Sequence, residues 1–116
     1  MNKIVVADSH SAIEGRVSIG EGSVVERSRL RGPLVIGAGA RIVDSYVGPF
    51  TSVGDGVEIV HSEIEHSIVL ERSRILHVPR RIESSLIGKE VVVCASETRP
   101  RTHRLMLGDS SRVELS

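Results

Sequence analysis

Aliphatic residues recur along this chain at a spacing that neither a helix nor a run of hairpins produces. Ile13, Ile19, Val25, Leu30, Ile36, Ile42, Val47, Val53, Ile59 and Ile64 follow one another in steps of six, six and five residues, three times over. Val69, Ile75, Ile82, Ile87 and Val93 continue the series with steps of five, six, seven, five and six. Two positions before each stands a small or aliphatic residue, from Ser11 and Val17 to Ser85 and Val91. Arg80, beside Pro79 at the seven-residue step, is the exception. Residues two apart on a strand share a face, so each such pair points inward and its neighbours point out. Five or six residues hold one short strand and a corner. Three such segments bring the chain round once in about seventeen residues, and each turn can pair with the one before it.

Glycines keep the same time. Gly20, Gly37 and Gly54 are seventeen apart, and so are Gly22, Gly39 and Gly56. At a corner, glycine supplies backbone angles that other residues reach only with strain. The pattern predicts an all-β parallel β-helix of about five triangular coils, starting near Ile13, Leu30, Val47, Ile64 and Ile82. Residues 1–12 form a lead-in and 13–95 the solenoid. Residues 96–116 are expected to cap the last coil, because an open end exposes strand edge and core.

The register also sorts the outside of the prism. The first face, that of Ile13, Leu30, Val47, Ile64 and Ile82, carries Arg29, Arg31, Glu63, Glu65, Arg81 and Glu83 and is expected to be wet. The second face, that of Ile19, Ile36, Val53, Val69 and Ile87, carries no charge beside its inward residues and presents Val35, Ile68, Leu70 and Leu86. The third face is mixed, with Val43, Val60 and Leu76 beside Arg41, Glu58 and Arg74. Contiguous apolar surface marks a contact, so Val35, Ile68, Leu70 and Leu86 are expected in an interface.

Composition fits a narrow core of repeated layers. Tyr46 and Phe50 are the only aromatics, so aliphatic side chains must fill the interior. Fifteen basic residues balance fifteen acidic ones, and no global field favours nucleic acid or an anionic membrane. No apolar run approaches the roughly 18 residues of a membrane span, and the N-terminus lacks the features of a secretory signal. Cys94 is a lone cysteine and excludes a disulfide framework. A cytoplasmic protein is expected.

The hexapeptides Ile19-Gly20-Glu21-Gly22-Ser23-Val24 and Ile36-Gly37-Ala38-Gly39-Ala40-Arg41 resemble those of left-handed β-helix proteins, and left-handedness is what that resemblance implies. A narrower resemblance rests on three ordered stretches. They are Arg31-Gly32-Pro33-Leu34-Val35-Ile36-Gly37, Asp44-Ser45-Tyr46-Val47-Gly48-Pro49-Phe50-Thr51-Ser52-Val53-Gly54 and Ser62-Glu63-Ile64-Glu65-His66-Ser67-Ile68-Val69-Leu70. With Ser85-Leu86-Ile87-Gly88 and the tail His103 to Asp109, these are similar to the C-terminal domain of long-form glucose-1-phosphate thymidylyltransferases. Nothing in the chain resembles the nucleotide-binding domain of those enzymes: no Gly-x-Gly-Thr-Arg run follows a strand. The resemblance therefore implies a non-catalytic domain serving assembly and regulation, with no cofactor of its own. Its partners would be further copies of the chain, a trimer being favoured, or an upstream nucleotidyltransferase domain.

The histidines raise two further functions. Many hexapeptide proteins are acyltransferases that use a histidine as general base, with an acyl coenzyme A as donor. For such an enzyme acting on an amino-sugar acceptor, the candidates here are His61 and His66, with Asp44 orienting an imidazole. Arg27, Asp44, His61 and His77 fall at equivalent outward positions of successive coils, which is also what a solvated charge ladder looks like. His61 and His66 fall on different faces, which argues against a shared metal ion. A purely structural scaffold is the third possibility.

Overall fold

A computed structural model describes residues 11–95, together with the strands Val6–Ala7, Met106–Leu107 and Arg112–Leu115. Three parallel sheets enclose one core. The first face stacks Ala12–Glu14, Arg29–Arg31, Tyr46–Val47, Glu63–Glu65 and Ile82–Glu83. The second stacks Val17–Ile19, Leu34–Ile36, Thr51–Val53, Ile68–Val69, Leu86–Ile87 and Met106–Leu107. The third runs from Val6–Ala7 through Val24–Glu26, Arg41–Val43, Glu58–Val60, Arg74–Leu76 and Val92–Ala95 to Arg112–Leu115. The fold is thus a β-solenoid of about five coils, with no helix among the described residues.

The register is the one expected from the spacing. Leu30 pairs with Val47 and Val47 with Ile64, while Ile36 pairs with Val53 and Val53 with Val69. From Val25 to Val93 every aliphatic of the series is buried. Ile13 is 46% exposed. It lies on Ala12–Glu14, the end strand of the first face among the described residues. The seven-residue step also differs from the expected pattern. Val78, not Arg80, takes the inward place, and its amide donates to Ser62 Oγ at 3.1 Å. Pro79, Arg80 and Arg81 then bulge outward.

The inward small positions are often serine for a reason the spacing does not reveal. Ser45 Oγ donates to the Val43 carbonyl at 2.7 Å and accepts the Ser62 amide at 3.2 Å. Ser28 and Ser62 do the same in their own coils. Each hydroxyl satisfies backbone groups of two successive coils inside the core, where an unpaired amide would cost about 1–3 kcal/mol.

The two glycine columns do different work. Gly22, Gly39 and Gly56 have φ of 80°, 65° and 68°, the left-handed region. Gly20, Gly37 and Gly54 do not, and are small because the next coil lies against them. A Cβ on Gly20 would sit 2.5 Å from the Ala38 nitrogen. At the other two corners the left-handed residue is mostly not glycine: Arg27, Asp44, His61 and His77 line one corner, with Phe50, His66 and Ser84 at the other. Aspartate and histidine are several-fold enriched in that region among non-glycine residues, so their presence at corners has a conformational cause before any chemical one.

The lead-in and the capping tail lie largely outside the described residues. Of the tail, Met106–Leu107 pairs in parallel with Leu86–Ile87, and Arg112–Leu115 with Val92–Ala95.

Candidate functional site

Two regions of the surface concentrate chemistry. At the corner between the third and first faces, the left-handed residues of successive coils stack into a ladder. Arg27 Nε donates to Asp44 Oδ1 at 2.7 Å and its Nη2 to Oδ2 at 3.1 Å. His61 Nε2 lies 3.3 Å from the same Oδ2, and the His61 and His77 rings meet edge to face with centroids 5.2 Å apart. The Arg27 guanidinium bonded to Asp44 holds its carboxyl below the ordinary aspartate range, so the ladder keeps a carboxylate at its centre.

Across the corner, the first face raises a second wall. Arg29 and Tyr46 occupy register-paired outward positions, with Tyr46 paired in turn to Glu63. The Arg81 guanidinium lies 4.8 Å from the centre of the Tyr46 ring and reaches Glu63 at 3.1 Å and Glu65 at 3.3 Å. Between the walls runs a shallow groove of about 870 Å³, floored by Ser28, Ser45 and Ser62. The spacing placed Asp44 and His61 in one column and the structure brings them into contact. His66 is not with them: it stands at the other corner, its ring 5.3 Å from that of Phe50. No group of three or more histidine, cysteine, aspartate or glutamate side chains is placed to hold a metal among the described residues. The groove itself was invisible in the sequence, because two walls that meet across a corner have no common parity.

The second region is the second face. Val35, Ile68 and Leu86 are exposed in one outward column, with Ser52 paired between Val35 and Ile68. Leu70 is half-buried at the edge of the same face. Phe50, 65% exposed, stands immediately before Thr51–Val53 and extends this surface round the corner. Sequence reasoning missed it; the signal was an aromatic residue in a Gly-Pro-Phe-Thr corner, out of phase with every inward position.

Against this geometry, the chain is 55% identical over 108 residues to glucose-1-phosphate thymidylyltransferase of Streptomyces antibioticus, and 49% over 111 residues to that of Streptomyces griseus. The chain is a relative of the glucose-1-phosphate thymidylyltransferases. These matches take in 93% and 96% of the chain but only 30% and 31% of the two enzymes, and the part shared with these thymidylyltransferases is the β-solenoid. A low-salt glycan biosynthesis nucleotidyltransferase of Haloferax volcanii is 38% identical over 72 residues, 61% of the chain and 20% of that protein. No protein-family model matches. Among solved structures, a variant of perosamine N-acetyltransferase from Caulobacter crescentus, in complex with CoA and GDP-perosamine, superposes with a TM-score of 0.62. At 15% identity, over 96% of this chain and 46% of that one, this likeness is one of fold alone. No helix among the described residues is long and apolar enough to cross a membrane.

Proposed function

We propose that the chain is the assembly module of a thymidylyltransferase-type protein, joining identical copies through its second face. Nucleotidyl transfer belongs to the part of such a protein that these residues do not include. The observation that carries this reading is the gathering of exposed apolar side chains. Of the large hydrophobics that are exposed among the described residues, Val35, Phe50, Ile68 and Leu86 lie on or beside the second face, and Ile13 is on the end strand of the first. The columns next to its inward residues hold no charge over five coils, so water gains little there. A parallel solenoid presents the same flat column at every level. Copies with parallel axes can therefore meet over their whole height, and cyclic symmetry closes such a contact; a trimer is the favoured state.

Sedimentation of the Ile68→Lys, Leu86→Glu double variant tests the reading. The parent should sediment as an oligomer and the variant as a monomer with an unchanged circular dichroism spectrum. A monomeric parent, or a variant that keeps the parent's mass, overturns it.

A second reading has one specific observation behind it, the His61–Asp44 contact at the rim of the groove. His61 would act as general base in acyl transfer from an acyl coenzyme A to an amino sugar. Asp44 is shared with Arg27, and the His77 ring crowds the imidazole, which disfavours this role. Release of free thiol from acetyl-CoA in the presence of amino-sugar phosphates, lost in His61→Ala, is the expected result if the chain is such an enzyme; absence of release retires it.

A further inference from the structure

The groove holds more positive charge than its ion pairs use. Arg27 is bonded to Asp44, and Arg81 to Glu63 and Glu65. Arg29 and Arg31 are different. They flank the buried Leu30 on one strand, both exposed and both lining the groove. Neither makes an ion pair or a side-chain hydrogen bond among the described residues. Glu14, the cross-strand partner of Arg31, lines the groove too but forms no ion pair with it.

Outward residues two apart on a strand stand roughly 6.5–7 Å from one another. Two guanidinium groups at that spacing repel when left alone and can converge on a single small anion. Each offers a planar fork of donors that fits phosphate oxygens. The groove floor suits a polar guest: the hydroxyls of Ser28, Ser45 and Ser62 are engaged with backbone, and no apolar patch lines it for a greasy ligand. Its volume is in the range of sites for small organic molecules, about 300–1,000 Å³.

We propose that Arg29 and Arg31 form a binding site for the phosphoryl groups of a small phosphate ester or anhydride, seated in the groove between the Tyr46 wall and the Arg27–Asp44–His61 ladder. Glu14 opposes the same charge and limits affinity. This site is independent of the second face.

The sole tyrosine of a tryptophan-free chain reports on the groove. Tyr46 emission is followed at low ionic strength while pyrophosphate, glucose 1-phosphate or a nucleoside diphosphate is added, and calorimetry gives the affinity. Saturable binding of at least one of the three is expected, and the best of them identifies an ester or an anhydride as the guest. Arg29→Ala, Arg31→Ala together should weaken that binding about tenfold or more, Glu14→Gln should tighten it, and Arg16→Ala, outside the groove, should leave it unchanged. Unaltered melting temperatures keep the comparison fair. The proposal is overturned if none of the three anions saturates, if the double variant binds like the parent, or if Arg16→Ala weakens binding equally. The Ile68→Lys, Leu86→Glu variant should bind as the parent does, which separates failure of this site from failure of assembly.

Discussion

Leu30 on the first face and Ile36 on the second are buried alike, yet Arg29 and Arg31 flank the one while Val35 and Gly37 flank the other. The inward aliphatics alone do not tell the faces apart, because every coil is held by the same aliphatic layer and the same backbone pairing. Beyond the inward serines of the first face, what distinguishes the two lies in the outward columns. The first face spends its surface on charge and a wet groove, and the second removes charge from every level. A solenoid thus separates stability from function more cleanly than a globular core, where one side chain often serves both.

The largest effect should come from erasing the shared interior. Ile59→Asp places an unpaired charge in a fully buried layer, at a cost of about 5 kcal/mol or more, comparable with the whole stability of a small domain. Circular dichroism should show loss of the β spectrum. The same change at the neighbouring Arg41, on the outside, should leave it intact. If Arg41→Asp unfolds the protein and Ile59→Asp does not, the inward and outward columns are exchanged.

A smaller effect separates the two glycine columns. In Gly37→Ala the new Cβ would lie 2.7 Å from the Asp55 nitrogen, whereas on Gly39 it would meet nothing within 4 Å. Gly37→Ala should therefore cost about 1–3 kcal/mol through forced separation of coils, and Gly39→Ala about 1 kcal/mol from its left-handed backbone alone. Equal losses in thermal melts would show that the two columns share one role.

The spacing of aliphatic residues disclosed the coil, its register and the uncharged second face, since all of these follow from parity along a strand. It did not disclose Val78, because an insertion at Pro79 to Arg81 resets parity within one corner. Nor could it explain His61, His66 and His77, which looked like chemistry and occupy positions that demand a left-handed backbone. The approach of Tyr46 to Arg81, and the groove beside it, depend on how far side chains reach across a corner, and no periodicity encodes that.

The smallest effect concerns the corner ladder. Asp44 has a lowered pKa in the folded chain, first through its hydrogen bond to Arg27. Its contribution is complete above the unfolded aspartate value, about 3.9, and is lost as pH falls through the folded value. Asp44→Asn should melt slightly below the parent at neutral pH, and the gap should close in acid below that range. A gap that persists or widens in acid would assign the difference to something other than the ion pair.

The serine ladder has a consequence for the length of the molecule. Ser28, Ser45 and Ser62 each accept a hydrogen bond from an amide of the coil that follows, and the series stops at Val78, whose amide donates to Ser62 but which has no hydroxyl to accept the next one. Every rung before that point is interchangeable with its neighbour. Excision of residues 28–44 would join Arg27 to Ser45 and leave Ser45 where Ser28 had been, above Ser11, with the same donor and acceptor on either side. Height is therefore a countable quantity in this architecture, adjustable one storey at a time, and Val78 marks the landing at which the staircase changes pitch.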